Sequence, residues 1–172
     1  FTGNIQIKNA NTTVSDLGVA FDKINFLFEA NNSDQFDITG SINSGNSQLA
    51  VNGNAGINQF KFPFILNVTG NNFLFYNTKD YEFYASPKLK FSYDRPTMTL
   101  SGALDIPKAN ISPQDFSSAV TLPSNVMVIE NSSTDNLESM LNFYFDLDLT
   151  FGNDVYLNTS GITAKVGGNL KI

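Results

Sequence analysis

Three carboxylates in the last third of the sequence are its best candidates for chemistry. Asp146, Asp148 and Asp154 lie close together along the chain, and such residues act as acid and base in glycosidases or bind calcium through their oxygens. Asp146 and Asp148 alternate with Phe145 and Leu147. On a β-strand the two carboxylates therefore point away from the apolar side chains, towards solvent. We interpret them as surface residues.

Other groups that carry chemistry are missing. The sequence contains no His and no Cys, which removes the commonest general base, the commonest zinc ligand and the thiol nucleophile. It also lacks a G-x-S-x-G motif, a P-loop and a dinucleotide fingerprint. We therefore predict a protein that is not an enzyme and that has no metal site and no cofactor.

Composition bounds the fold and the partners. The 172 residues include 16 Phe and 6 Tyr, set between clusters of Asn, Gly, Ser and Thr, which is typical of β-strands joined by turns. A net charge of −6, with only ten scattered Lys and Arg, argues against a nucleic-acid partner, because phosphate binding needs a basic patch. No segment reaches the length of a membrane-spanning helix.

Alternation with a period of two dominates the sequence. The clearest run has Leu141, Phe143, Phe145, Leu147, Leu149 and Phe151 on one side and polar residues on the other. A second run extends from Phe60 to Val68 and contains Pro63, which suggests an edge or a bulge. We predict a single all-β domain over residues 1–172, a curled and mainly antiparallel sheet, with loops near 112–124 and 131–138.

Slips in the alternation and recurrent glycines predict where the sheet bends. The phase changes near Lys23 and near Gly161, so we expect bulges or tight turns there. Four segments share an apolar-x-Gly-x-apolar pattern that places the glycine on the apolar face, and a glycine there permits a sharp bend or marks a bulge. These glycines are Gly40, Gly53, Gly102 and Gly168.

The apolar face admits two interpretations. In a sealed β-sandwich, or in a β-solenoid adhesin or structural domain, it packs against other protein and recognition falls to the polar exterior. In a curled trough it lines a groove for hydrophobic cargo, which is the hypothesis we favour. The predicted groove residues are Phe26, Phe28, Phe36, Ile38, Phe60, Phe62, Phe64, Phe91, Leu100, Leu104, Phe143, Phe145, Leu147, Leu157, Val166 and Leu170.

The second half of the chain resembles the C-terminal region of TamB-like proteins. The stretch from Thr97 to Glu130 contains Leu-Ser-Gly-Ala-Leu and then Ile-Pro-Lys-Ala-Asn-Ile, as in the family's glycine strand, and residues 125–129 read Asn-Val-Met-Val-Ile. Residues 147–157 and 161–170 are similar to the family's Leu-x-Leu-Gly-x-Asp-Val-x-Leu and Gly-Leu-x-Ala-x-Leu-x-Gly-x-Leu patterns. The first half matches only in its style of strands.

The resemblance implies a β-taco, an open half-pipe with a hydrophobic concave interior, and an internal fragment of a long periplasmic protein of a Gram-negative bacterium. It implies a tether to the inner membrane through an N-terminal helix absent here, and an outer-membrane partner similar to the Omp85-type barrel TamA. Two roles are attached to the family: carrying phospholipid between membranes and assisting assembly of outer-membrane barrels and autotransporters. Phospholipid acyl chains and nascent outer-membrane β-strands therefore both remain possible cargo, and we favour lipid.

Overall fold

A computed structural model describes residues 2–30, 34–57, 62–112, 141–159 and 161–172. In this part of the chain β-branched and aromatic residues alternate with polar ones, and eleven strands belong to one sheet. The strands are β1 Gly3–Val14, β2 Val19–Ala30, β3 Gln35–Ser44, β4 Ser47–Gly56, β5 Phe64–Gly70, β6 Phe73–Asn77, β7 Tyr81–Asp94, β8 Thr97–Ile111, β9 Asn142–Thr159, β10 Ile162–Lys165 and β11 Gly168–Lys171.

The sheet is open and mostly antiparallel. Its strands follow the order β1-β2-β3-β4-β5-β7-β8-β9-β10, with β6 paired to β7 and β11 paired to β9. β8 and β9 run parallel, unlike the other paired strands of the described residues. The predicted loops near 112–124 and 131–138 fall, apart from Ser112, outside the described residues. No helix among the described residues has the length and apolarity to cross a bilayer.

A line of bulges, which we call the crease, crosses most of the sheet. Asn9 in β1, Lys23 in β2 and Asn72 between β5 and β6 adopt positive φ, and the registers of β7 and β8 shift near Ala85 and Pro107. Extra residues in adjacent strands bend a sheet along their common line. The predicted bulge at Lys23 is confirmed, as is the turn at Gly161, whereas Pro63 precedes β5 and does not interrupt it.

Side chains support the crease where the strand ladder is interrupted. The amide oxygen of Asn25 accepts a hydrogen bond from the backbone N–H of Asn9 at 3.0 Å, and its Nδ2 donates to the carbonyl of Lys23 at 2.7 Å. The backbone N–H of Asn72 donates to Ser86 Oγ at 2.8 Å. Each bond satisfies a backbone group that a bulge removes from its normal partner.

The crease separates two parts of unequal width. We call the side of the crease that holds the β3–β4 hairpin the wide half. In the described residues it contains β3, β4, β5 and β11 with segments of β1, β2, β7, β8 and β9, which makes nine strands. The narrow half contains β6 and β10 with the remaining segments of the same five long strands, which makes seven. At about 4.8 Å per strand the two ends differ by roughly 10 Å in width. The β3–β4 hairpin ends at the crease, and β2 contacts β6 beyond it.

The four glycines lie on the apolar face, as predicted. Gly40 is opposite Phe26 and Val51, Gly53 opposite Ile38 and Leu66, Gly102 opposite Leu89 and Leu147, and Gly168 opposite Phe151. At Gly53 the carbonyl oxygen of Ile65 in the neighbouring strand occupies the space where a Cβ would lie. At Gly102, where φ is +124°, the carbonyl of Lys88 does the same. At these two glycines the neighbouring backbones approach closely, as a glycine on this face permits.

Replacing Gly53 with Ala is expected to lower the free energy of unfolding by about 1–3 kcal/mol, because a backbone carbonyl cannot move aside as a flexible side chain can. Urea unfolding followed by circular dichroism measures the change. The matched control is Gly167→Ala, since no heavy atom lies within 4 Å of its Cβ position. An equal loss in both variants would show that the close approach at Gly53 is not responsible.

Candidate functional site

The strand register assembles a continuous apolar surface in the wide half. Residues directly opposite each other on adjacent strands share a face, and successive pairings link apolar residues or glycines from β1 to β9. One row consists of Ile5, Phe28, Ile38, Gly53, Leu66, Phe91, Leu100 and Phe145. The next consists of Ile7, Phe26, Gly40, Val51, Val68, Leu89, Gly102 and Leu147. We call this surface the apolar face.

The opposite face of the same strands is polar. The row between the two apolar rows consists of Gln6, Leu27, Thr39, Asn52, Asn67, Lys90, Ser101 and Asp146. Only Leu27 interrupts it. A sheet with one apolar and one polar face places the first against protein or ligand and the second in water.

Burial on the apolar face is concentrated at the crease. Leu49, Phe73, Ala85 and Ile106 are buried there, whereas every member of the two wide-half rows is half-buried or exposed. At the β9 side Phe145 keeps 56% of its surface exposed. Ile5 and Ile7 at the β1 side are exposed as well. In the described residues the apolar face is therefore exposed at both sides and half-buried between them.

The predicted groove residues fall into three groups. Those on the wide half of the apolar face or at its border with the crease are Phe26, Phe28, Phe36, Ile38, Phe64, Phe91, Leu100, Leu104, Phe143, Phe145, Leu147 and Leu170. Leu157 and Val166 lie in or beside the narrow half: Leu157 is opposite Ile111, and Val166 packs against the cluster of Ile106, Ala109 and Val155. Phe62 precedes β5 and is exposed, and Phe60 lies outside the described residues.

Sequence reasoning missed a set of aromatic residues at and beyond the crease. The rings of Phe21 in β2 and Phe73 in β6 stack with centroids 6.0 Å apart and planes 10° apart. Phe75 meets Phe73 edge-on at 5.0 Å and lies 6.1 Å from Phe83. Phe75, Tyr76, Tyr81, Phe83 and Ile111 line an apolar depression of about 310 Å³ together with Glu82. β6 has apolar residues at successive positions, so it offers no alternation to detect.

Charged groups lie on exposed parts of the sheet. Lys171 Nζ is 3.9 Å from a carboxylate oxygen of Asp146 and 3.9 Å from one of Asp148, and all three side chains are largely exposed. Lys108 Nζ donates to Glu82 at 2.9 Å, and this hydrogen bond raises the pKa of Lys108. The described residues contain no group of three or more His, Cys, Asp or Glu side chains arranged to hold a metal ion. The chemistry of the site is therefore that of an apolar surface.

Comparison with known proteins gives one match. A family model described as the TamB C-terminal domain matches residues 34–172, which includes every strand from β3 to β11. The match confirms the resemblance found in the second half of the chain and extends it into the first half. Comparisons with curated proteins and with solved structures give no match.

Proposed function

The chain belongs to the family of TamB C-terminal domains, and from that premise we propose that its sheet forms a β-taco whose apolar interior conducts phospholipids between the inner and outer membranes. Family membership makes it part of a bacterial envelope protein. The observation that supports a lipid-conducting role is the partly exposed apolar face, which continues across eight neighbouring strands of one sheet in the described residues.

The unequal width of the sheet supports a concave apolar face. On a flat sheet β2 and the position occupied by β5 and β6 are three strand spacings apart, or about 14 Å. Beyond the end of the β3–β4 hairpin the side chains of these strands instead meet: the ring centroids of Phe21 in β2 and Phe73 in β6 are 6.0 Å apart. Phe73 is opposite Ala85, which is completely buried. Both observations support a sheet that narrows into a cup with the apolar face inside.

The energy of apolar burial is sufficient to retain an acyl chain. Each buried methylene contributes about 0.8 kcal/mol, so burial of half of a long chain yields on the order of 6 kcal/mol without a specific polar contact. A trough left open along one side also leaves a low barrier to sliding, because the headgroup stays in water while the chain moves. Retention and release are both properties that a conduit needs.

The whole protein, in this proposal, spans the periplasm of a Gram-negative bacterium. An N-terminal helix outside the present sequence tethers it to the inner membrane, and an outer-membrane barrel similar to TamA is its partner. The family relationship supports both statements. Nothing in the described residues identifies the surface that contacts such a barrel.

A second candidate function is assistance to nascent outer-membrane β-strands. Its specific support is β1, whose outer edge has no partner strand among the described residues. A free edge can accept an incoming strand through backbone hydrogen bonds. Ile5 and Ile7 on β1 would meet the apolar side of such a strand. The sealed sandwich or adhesin, our alternative from sequence, would instead require a covering layer over the apolar face.

Lipid analysis and crosslinking in cells test the proposal. Native mass spectrometry of the purified domain should detect co-bound phospholipid, and a photo-crosslinking amino acid at Phe145 should give lipid adducts. The same amino acid at Tyr144 is the control, because Tyr144 lies on the opposite face of β9 and is equally exposed. Adducts to barrel precursors would favour the second function. Equal labelling from both faces, with no bound lipid, would contradict a cargo groove.

A further inference from the structure

Packed aromatic side chains close one end of the proposed cup. Phe73 retains only 1% of its surface, and its stacking on Phe21 joins β2 to β6 across the end of the β3–β4 hairpin. The backbone on either side is also in contact, because the carbonyl oxygen of Asn77 occupies the position that a side chain on Gly18 would take. We call the pair of Phe21 and Phe73 the aromatic stop. It lies between the wide half and the depression lined by Phe75 and Phe83.

The described part of the rim at the opposite end of the wide half includes a charged turn. The last apolar positions before the rim include Phe64, Tyr93, Met98 and Phe143, which are aligned across four strands. Beyond them the turn between β7 and β8 exposes Asp94 and Arg95. An apolar surface that ends at a charged turn suits a molecule with an apolar tail and a polar head.

The distance between the two ends fits one acyl chain. β5 runs from Phe64 at the rim to Gly70 beside Leu49 at the crease, and seven residues of a strand span roughly 23 Å. One leaflet of a bilayer, the length of an acyl chain in a membrane, is about half of the roughly 30 Å hydrocarbon thickness. The wide half is therefore deep enough for a chain that lies along the strands.

We propose that a lipid acyl chain lies in the wide half parallel to the strands, with its terminal methyl group against the aromatic stop and its polar head at the rim formed by the β7–β8 turn. This inference rests on the proposed lipid-binding function and adds a direction to it. Cargo enters tail first and leaves head first through the rim, or moves sideways over β9, and it does not pass the aromatic stop into the narrow half.

The absence of Trp from the sequence makes this orientation measurable. A single Trp is introduced as Phe21→Trp, next to the stop, or as Tyr93→Trp, at the rim. The probes are stearic acids that carry a nitroxide near the methyl end or near the carboxyl end. We expect the methyl-end probe to quench Trp fluorescence several-fold more than the carboxyl-end probe in Phe21→Trp, and the reverse preference in Tyr93→Trp.

Controls separate this inference from the function on which it rests. Leu157→Trp, in the narrow half, should be quenched by neither probe, and Ile42→Trp, beside the crease on β3, replaces Phe21→Trp if that variant fails to fold. Equal or inverted preferences would overturn the orientation and leave lipid binding intact. Quenching of Leu157→Trp would show passage beyond the aromatic stop. The failure of both probes to quench any folded wide-half variant would instead overturn lipid binding itself.

Discussion

Replacement of Phe145 with Arg is expected to lower acyl-chain affinity at least roughly tenfold, because burial of a Phe side chain against apolar cargo is worth about 1.5–3 kcal/mol and a factor of ten in affinity corresponds to about 1.4 kcal/mol. An Arg in the apolar row also brings a charge that the cargo cannot solvate. The measurement is titration of the purified domain with a fluorescent fatty acid. Because Phe145 is already 56% exposed, the β circular-dichroism spectrum should stay nearly unchanged.

The matched control for Phe145→Arg is the neighbouring substitution Tyr144→Arg. Tyr144 is an aromatic residue of the same strand with 58% of its surface exposed, but it points to the polar face. The same charge is thus added one residue away and on the opposite side of the sheet. Equal affinities for the two variants would place the cargo elsewhere, and complete unfolding of Phe145→Arg would indicate a closed core.

Truncation of Phe73 to Ala is expected to give the largest loss of stability, about 3–5 kcal/mol, because it empties a fully buried aromatic site and leaves a cavity. Phe73 contacts Phe21 and Phe75 and joins β6 to β2 across the crease. The free energy of unfolding from urea titration provides the measurement. A loss of this size is a large share of the total stability of a domain.

Phe143→Ala serves as the comparison for Phe73→Ala, since it removes the same atoms from a side chain that is mostly exposed. Its cost should stay below about 1 kcal/mol. Similar costs at the two positions would mean that the aromatic stop does not hold the two halves of the sheet together. The stop would then be too weak to close the end of the cup.

Local alternation predicted the individual strands well. β9 contains the run from Phe143 to Phe151 that first indicated a strand, and the phase slip at Lys23 located a bulge of the crease. The same pattern placed four glycines on the apolar face. These features follow from the period of two along a strand and need no knowledge of distant residues.

Features that depend on contacts between distant residues could not be predicted in the same way. β6 contains no alternation. Its contribution to the fold is the stacking of Phe73 on Phe21, which is far from β6 in sequence. The parallel pairing of β8 with β9 depends on a connection that alternation does not describe. Whether an apolar face is covered or open depends on the relative positions of all strands, so the sequence left both interpretations standing.

The parallel pair also has a consequence for the order of folding. From β1 to β8 the strands are joined to their neighbours in the sheet by short connections. They can therefore pair one after another during folding, because closure of a small loop costs little entropy. Thr97, however, is opposite Asn142, which follows it by 45 residues in the sequence. Non-local pairing of this kind is slow. Until it is complete, the backbone groups of β8 that pair with β9 are without their partner strand.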